Sequence, residues 1–350
     1  ISCDGPDTLW VLTEIHGAYR FNQATGQSDH HLPGLAAWFA FRDSGGGLFI
    51  GTNRGLARMR PDPDQPEKLI PSMAVNNPLD PESLSQDEVL CALEDAGGLL
   101  WFGTYSGGVS RYNPAYQAFS VYRAGPGLPT ALSGSAVSAV APENADVVWV
   151  GTRYNGLNRI DRRTGEVTVF RHDPANPDSL ADDGVNCLLL DRQGRLWIGA
   201  TDRGLDRYDP DGGRFVHYRH DPGNPESISQ NKIWWIAEDE DGILWLGASS
   251  GGLNRFDPTT GKAKVYRHDP NDPASLSHNR VRHITPAPGG ILWIGTNGGL
   301  NRFDKNAETF THWEHDPGNA DSLSNNRVTP ILLDPSGALW VGSDAGLNRF

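Results

Sequence analysis

The chain has 350 residues and a formal net charge of −13, from 30 Lys and Arg against 43 Asp and Glu. This acidity excludes general binding of nucleic acid, which requires a basic surface, although it leaves room for a local basic pocket. The three cysteines, Cys3, Cys91 and Cys187, are too widely spaced to form a metal-ligand motif, and an odd number gives no disulfide framework. We therefore expect them to be buried small apolar residues.

One phrase occurs eight times along the chain: an aromatic residue between two aliphatic residues, usually followed by Gly and Thr. Its aromatic residues are Trp10, Phe49, Trp101, Trp149, Trp197, Trp245, Trp293 and Trp340. The first two steps are 39 and 52 residues long, and the later steps are 47 or 48 residues. A fixed period of this length indicates one supersecondary unit that is copied and stacked.

Each unit predicts four short strands. In the unit that starts at Ile233 they cover residues 233–239, 244–247, 252–257 and 263–266, bounded by Gly, Asp, Asn or Pro. No segment has a sustained helical period. Four antiparallel strands per unit are typical of a β-propeller blade. We predict an all-β propeller that forms one domain over residues 1–350, with eight blades; a seven-bladed ring followed by part of a further repeat is the alternative.

The repeated residues are expected to be architectural. In the second strand of each unit the Trp and the Gly two positions later share one side, because side chains alternate across a strand. We expect each Trp to wedge between adjacent blades and each Gly to leave room for the neighbour. A recurring Arg in the third strand is expected to pair with carboxylates such as Asp95, Asp191 or Asp239; its copies are Arg111, Arg159, Arg207, Arg255 and Arg302.

Two segments resemble the two-component regulator propeller repeat: Leu292–Asp304, and Tyr266–Pro270 followed by Ser275–Ser277. The resemblance covers nearly the whole chain and is weaker in the first two repeats, where Leu12 replaces Gly and Phe49 replaces Trp. It implies an extracytoplasmic sensor region of a hybrid two-component or related bacterial signalling protein, periplasmic or extracellular, that responds to an oligosaccharide. Any membrane contact would come from segments outside this chain, which we interpret as a fragment because both ends lie within a unit.

Motifs for catalysis, metals and cofactors are absent. The chain has no His-Glu-x-x-His, no Gly-x-Ser-x-Gly and no phosphate-binding Gly-x-x-x-x-Gly-Lys, so we predict no catalytic residue, metal site or cofactor. Residues 238–242 match half of a calcium loop, but Asp-Gly is ordinary turn chemistry. Four histidines recur once per unit and are expected to be structural: His172, His220, His268 and His315.

Function is expected where the copies differ. Two loops of each blade, the one before the innermost strand and the one between the second and third strands, should open around the mouth of the central channel. Variable Arg and aromatic residues in these places offer apolar area to a sugar face and forks for hydrogen bonds. The candidate ligand-binding residues are Trp38, Arg54, Tyr105, Arg153, Tyr154, Arg203, Lys232, Trp234, Arg280, Arg282 and Arg327.

Three functions are consistent with this pattern, because a fold does not decide function. The first is a sensor domain that binds an oligosaccharide or similar small solute. The second is a scaffold that binds a protein partner or forms a homodimer. The third is a polysaccharide lyase or hydrolase, for which Tyr154 beside Arg153 is the adjacent pair that offers a base and a charge-neutralising group.

Overall fold

The computed structural model describes residues 1–4, 8–65, 68–80, 82–114, 118–125, 131–334 and 336–350. Within these ranges all regular secondary structure is β-strand. The chain divides into two compact units, Ile1–Arg171 and His172–Phe350. Each unit contains four sheets, which we number as blades one to eight in chain order.

The N-terminal unit contains blades one to four, each with four strands. Their bounds are β1 Ser2–Cys3, β2 Thr8–Thr13, β3 Gly17–Asn22, β4 Ser28–His31, β5 Ala37–Arg42, β6 Leu48–Thr52, β7 Gly55–Pro61, β8 Leu69–Ala74, β9 Val89–Glu94, β10 Leu100–Thr104, β11 Val109–Asn113, β12 Ala118–Tyr122, β13 Val137–Pro142, β14 Val147–Thr152, β15 Leu157–Asp161 and β16 Val167–Phe170.

The C-terminal unit contains blades five to eight. Blades five to seven have four strands each, and blade eight has three among the described residues. The bounds are β17 Val185–Leu190, β18 Leu196–Ala200, β19 Leu205–Asp209, β20 Arg214–Tyr218, β21 Ile233–Glu238, β22 Leu244–Ala248, β23 Leu253–Asp257, β24 Lys262–Tyr266, β25 Val281–Ala287, β26 Ile291–Thr296, β27 Gly299–Asp304, β28 Thr309–Trp313, β29 Val328–Leu333, β30 Leu339–Ser343 and β31 Gly346–Arg349.

Every blade is an antiparallel meander in which consecutive strands are neighbours. In blade six, for example, Trp245 of β22 lies opposite Ala237 of β21 on one side and Arg255 of β23 on the other. The fold is an eight-bladed β-propeller, so the predicted fold class is confirmed.

Within each compact unit, the repeated aromatic residues pack against the next blade. Trp197 of blade five is fully buried and packs with Ile233, Leu246 and Phe256 of blade six. Its ring meets that of Phe256 edge-on at 5.6 Å between centroids. Such edge-to-face pairs stabilise a core beyond the apolar area that they bury. The expected wedge is confirmed.

The glycine of the second strand leaves room for both its own innermost strand and the next blade. A Cβ atom on Gly199 would lie 2.4 Å from Sγ of Cys187 and 3.2 Å from Cγ2 of Ile233. Cys91 lies against Gly103 in the same way. Burial raises the pKa of the Cys91 thiol to about 11 and that of the Cys187 thiol to about 12. The side chains of these two cysteines are partly buried and pack against the hydrophobic core, which is less than the full burial expected. The side chain of Cys3 lies outside the described part.

In the part of the chain that the structure describes, the carboxylate near the end of the innermost strand binds the repeated Trp in six of the eight blades, all except blades two and seven. In blade five Asp191 accepts a hydrogen bond from Nε1 of Trp197 at 2.8 Å and from the backbone N–H groups of Gln193 and Arg195 at 3.0 and 2.9 Å. The carboxylate therefore closes the turn and fixes the indole. The same bond joins Asp4 to Trp10, Asp95 to Trp101, Glu143 to Trp149, Asp239 to Trp245 and Asp334 to Trp340.

The expected pairing of the third-strand arginines with Asp95, Asp191 and Asp239 is wrong. The cations that pair with these carboxylates are Arg162 at 2.9 Å, Arg195 at 2.6 Å and Lys305 at 2.8 Å, respectively. The third-strand arginines instead lie opposite the Trp in the strand register, as Arg255 does to Trp245. In blade four alone, among the described residues, the third-strand Arg159 reaches the corresponding carboxylate, Glu143, at 3.5 Å.

Candidate functional site

The second residue of the innermost strand lies in a β-bulge in blades two to eight. The register between the first two strands shifts at this position, so that Trp234, for example, has no partner between the pairs Ile233–Ala248 and Trp235–Gly247. A bulge bends the strand and re-aims a side chain. We call these bulge residues; they are Trp38, Leu90, Ser138, Asn186, Trp234, Arg282 and, in blade eight, Thr329 with Pro330.

In blades two to seven, a backbone hydrogen bond ties the residue before the innermost strand to the loop between the second and third strands. The carbonyl of Lys232 accepts from the N–H of Ser249 at 3.1 Å, and the carbonyl of Arg280 accepts from Asn297 at 3.3 Å. Glu88 with Tyr105 and Ala136 with Arg153 repeat this bond in the N-terminal unit. Within each of these blades the variable positions therefore share one edge of the sheet, as the sequence predicts.

The candidate residues of the N-terminal unit are exposed and separate. Trp38, Tyr105 and Tyr154 are 36%, 47% and 68% exposed, and Arg54 and Arg153 are exposed as well. Among the described residues of this unit, no hydrogen bond, ion pair, ring contact or cation–π contact is seen between the side chains of any two of them. Tyr154 and Arg153 are both exposed at the tip of the loop between β14 and β15. A ligand-binding role for these five residues stays a prediction.

Two candidate residues of the C-terminal unit, Arg280 and Arg282, converge on a third, Trp234. The guanidinium carbons of Arg280 and Arg282, both from blade seven, lie 5.6 and 5.7 Å from the centre of the Trp234 ring in blade six. Nε of Arg280 also donates to the carbonyl of Ser249 at 3.1 Å, and Nε of Arg282 donates to Oδ1 of Asn297 at 2.5 Å. We call Trp234, Arg280 and Arg282 the Trp234 cluster.

The neighbouring Trp235 shows what the bulge does. Its side chain turns to the other side of the strand, where its ring lies 4.2 Å from that of His283 and its Nε1 donates to the carbonyl of Ile284 at 3.1 Å. Burial lowers the pKa of His283 to about 4, so this ring is neutral near pH 7. The two adjacent tryptophans therefore have different environments: Trp235 contacts His283 and Ile284 of blade seven, and Trp234 lies half-buried at the surface.

Two ion pairs flank the cluster. Nζ of Lys232 lies 3.5 Å from Asp202, and Nη1 of Arg327 donates to Asp344 at 2.8 Å. Burial lowers the pKa of Arg282, as do the charges of Arg327 and Arg280, while Asp344 opposes this shift. The pKa of His278 is likewise lowered by burial and by Arg280. The cluster therefore concentrates positive charge.

Arg203 lies apart from the cluster. It lines a crevice of about 400 Å³ with His172, His217 and Arg219. Its side chain therefore lies beside the loop that precedes blade five, and a ligand-binding role for Arg203 stays a prediction. The sequence predicts the position of this loop but not the side-chain direction.

The four recurring histidines are structural, as expected. Their Nδ1 atoms lie 2.6–3.0 Å from the backbone carbonyl eight residues later, which belongs to Leu180, Ile228, Leu276 or Leu323. The connecting loops are ordered internally: Ser227 donates to the carbonyl of Asp221 and accepts from its N–H. Residues 238–242 form a turn, and the described residues contain no group of His, Cys, Asp and Glu that could hold a metal ion.

One buried pair was missed by the sequence analysis. His217 of β20 lies opposite Asp206 of β19, with Nδ1 2.7 Å from its carboxylate and Nε2 2.9 Å from the carbonyl of Pro177. The hydrogen bond to Asp206 raises the pKa of His217. Asp206 stands where blades four, six, seven and eight carry Asn, at Asn158, Asn254, Asn301 and Asn348. That departure from the repeat was the available signal.

No helix in the described ranges is long and apolar enough to cross a membrane.

Comparison with known structures shows the same fold in extracellular domains of bacterial regulatory systems. The extracellular domain of the hybrid two component system BT3049 of B. thetaiotaomicron is 22% identical with a TM-score of 0.68, over 89% of this chain and 39% of that one. The extracellular domain of the one component system BT4673 of B. thetaiotaomicron is 23% identical with a TM-score of 0.51, over 98% of this chain and 50% of that one. This chain thus spans half or less of these proteins.

A lyase shares the fold as well. Virginiamycin B lyase from Staphylococcus aureus is 15% identical with a TM-score of 0.60, over 89% of this chain and 93% of that one. A search of curated proteins found no match. The model of the two component regulator propeller matches residues 83–106, 179–202, 227–250, 275–298 and 322–345. These five segments contain the repeated second strands of blades three, five, six, seven and eight, so in these five blades the chain carries two component regulator propeller repeats.

Proposed function

We propose that this chain is the ligand-binding propeller of a bacterial signal-transduction protein, that it works outside the cytoplasm, and that it binds an oligosaccharide or similar solute at the Trp234 cluster. The observation that carries the proposal is the convergence of Trp234, Arg280 and Arg282 at bulge and loop positions that differ from blade to blade. A binding site needs an apolar wall and a few convergent polar groups, and this cluster provides both.

The family and the neighbours support the signalling part of the proposal. The matching repeats are those of two component regulators, and two structures with the same fold are extracellular domains of regulatory systems. In this interpretation the propeller binds its solute outside the cytoplasm, and the bound state alters the output of the signalling protein.

A protein-binding role is the second candidate, favoured by the outer strand of blade two. On and just after β8, Ile70, Met73 and Val75 are 42%, 38% and 47% exposed. Apolar side chains grouped on an edge strand are a recurrent feature of protein interfaces. This surface belongs to the N-terminal unit and does not involve the Trp234 cluster.

Calorimetric titration of the chain with a panel of neutral and acidic oligosaccharides tests the proposal. We expect at least one oligosaccharide to bind, with affinity lost in Trp234→Ala and kept in Val169→Ala, which truncates an exposed apolar residue of an outer strand. A loss in Tyr154→Ala instead would place the site in the N-terminal unit. If no oligosaccharide binds while a protein partner is retained through β8, the protein-binding function replaces the proposal.

A further inference from the structure

The arrangement around Trp234 favours one class of ligand. A free indole ring would stack on a sugar face, but here two guanidiniums lie within 6 Å of the ring centre. Cations at this distance are attracted by the negative face of the ring and held there. The indole therefore acts first as a platform for Arg280 and Arg282, and their N–H groups are the ones positioned to meet a ligand.

The two guanidiniums have neutral partners. Nε of Arg280 donates to the backbone carbonyl of Ser249, and Nε of Arg282 donates to the side-chain amide oxygen of Asn297. Among the residues that the structure describes, neither arginine forms an ion pair. By contrast, the flanking Lys232 and Arg327 each have a carboxylate, Asp202 and Asp344.

The charge balance of this surface opposes that of the chain. Lys232, Arg280, Arg282 and Arg327 provide four positive charges against two negative charges of Asp202 and Asp344, in a chain with net charge −13. Partial burial, and after it the like charges of Arg327 and Arg280, already disfavour the charged form of Arg282 and lower its pKa. An anion between the two guanidiniums would relieve this repulsion and make charge-assisted hydrogen bonds.

We propose that the Trp234 cluster binds an anionic oxo group, a uronate carboxylate or a sulfate ester, carried by the oligosaccharide ligand. This inference rests on the proposed function and specifies its substrate class. Arg280 and Arg282 contact the anion through the N–H groups of their guanidiniums, and the Trp234 ring holds both guanidiniums in place. Carboxylate and sulfate oxygens match the planar guanidinium fork, whereas a Lys ammonium is a point charge.

Matched ligands test the inference. The chain is titrated with tetragalacturonate against the neutral galactose tetramer, and with a chondroitin sulfate tetrasaccharide against its desulfated form. We expect at least one of the two anionic members to bind tenfold or more tightly than its matched ligand, which is about 1.4 kcal/mol. Binding should weaken as salt is raised, because the site is at the surface. The two arms distinguish a carboxylate from a sulfate ester.

Variants assign the effect to the forks. Arg280→Gln and Arg282→Gln should each weaken anion binding by about tenfold or more, and Arg282→Lys should recover only part of it. The control is Arg214→Gln, which removes an exposed Arg paired with Asp209 on an outer strand and should leave affinity unchanged. Circular dichroism of each variant checks that the fold is intact.

Two results would overturn the inference. Equal affinity for each anionic ligand and its matched control, with loss in Trp234→Ala, refutes the anion and leaves the proposed function standing. Absence of binding by all four ligands also refutes the anion class, and the wider panel then decides separately on the proposed function.

Discussion

Removal of the Asp239 carboxylate is the change whose effect on folding stability can be estimated most directly from the structure. This side chain is 2% exposed and accepts four hydrogen bonds: from the N–H groups of Asp241 and Ile243 at 3.0 and 3.1 Å, from Nε1 of Trp245 at 2.8 Å and from Nζ of Lys305 at 2.8 Å. Asp239→Ala leaves a buried indole N–H and a half-enclosed ammonium without this acceptor. Breaking a buried ion pair by removing one partner costs about 3–5 kcal/mol.

The expected fall in stability is large enough to measure by thermal unfolding. At about 2–4 °C per kcal/mol for a unit of this size, Asp239→Ala should lower the Tm by about 6–20 °C. Circular dichroism monitors unfolding, and fluorescence of the indoles gives a second probe. The matched control is Asp241→Ala, which removes the other carboxylate bonded to Lys305 but one that is 70% exposed. Equal changes of Tm in the two variants would refute the argument that burial of Asp239 makes its bonds important.

Three further outcomes follow from the buried groups. Gly199→Ala should destabilise the chain by about 1–3 kcal/mol through overpacking against Cys187 and Ile233, and the double variant with Cys187→Ala should recover most of the loss in a denaturant titration. Because the pKa of His217 is raised, its contribution to stability is complete below about pH 6.5 and is lost as the pH rises through the folded-state pKa. The difference in Tm between the unaltered chain and the double variant Asp206→Asn/His217→Val should therefore shrink from pH 5.5 to pH 9. A difference in Tm that stays constant over this range would contradict the argument. The thiol pKa values of Cys91 and Cys187 are raised to about 11 and 12, so both thiols should be alkylated far more slowly at pH 8 in the folded chain than in denaturant. Peptide mass mapping measures the two alkylation rates. Similar rates in the folded and denatured chain would show that these thiols are not shielded.

The architecture could be predicted from the sequence because the strand period and the repeat constrain it together. Alternation across a strand places Trp197 and Gly199 on one side, and the copied unit requires that side to meet the next blade. The failed pairing of the third-strand arginines has a topological cause. Arg207 lies directly opposite Trp197 in the strand register, whereas Asp191 binds the indole from the far end of the innermost strand and takes the nearer Arg195 as its cation.

The site could be predicted only in part. Comparison of the eight repeats reveals the variable positions. The bulge that redirects the side chain of Trp234 cannot be predicted from residue type, because it arises from the pairing of β21 with β22. The position of Arg282, one repeat after Trp234, places it in the adjacent blade, yet its attachment to the indole depends on a rotamer. Arg203 shows the same limit, since an equivalent loop position carries its side chain into another crevice.

The variable bulge and loop positions, rather than the repeated parts, are expected to bind the ligand. Hydrogen–deuterium exchange of the chain with and without a bound acidic oligosaccharide tests this expectation directly. We predict that slowed exchange in the ligand-bound chain is concentrated in residues 230–235, 249–250, 278–283 and 297–298, which contain the Trp234 cluster and the loops bonded to it. Protection confined to the repeated connecting loops such as residues 220–229, or to the outer strands, with unchanged exchange around Trp234, would contradict the account.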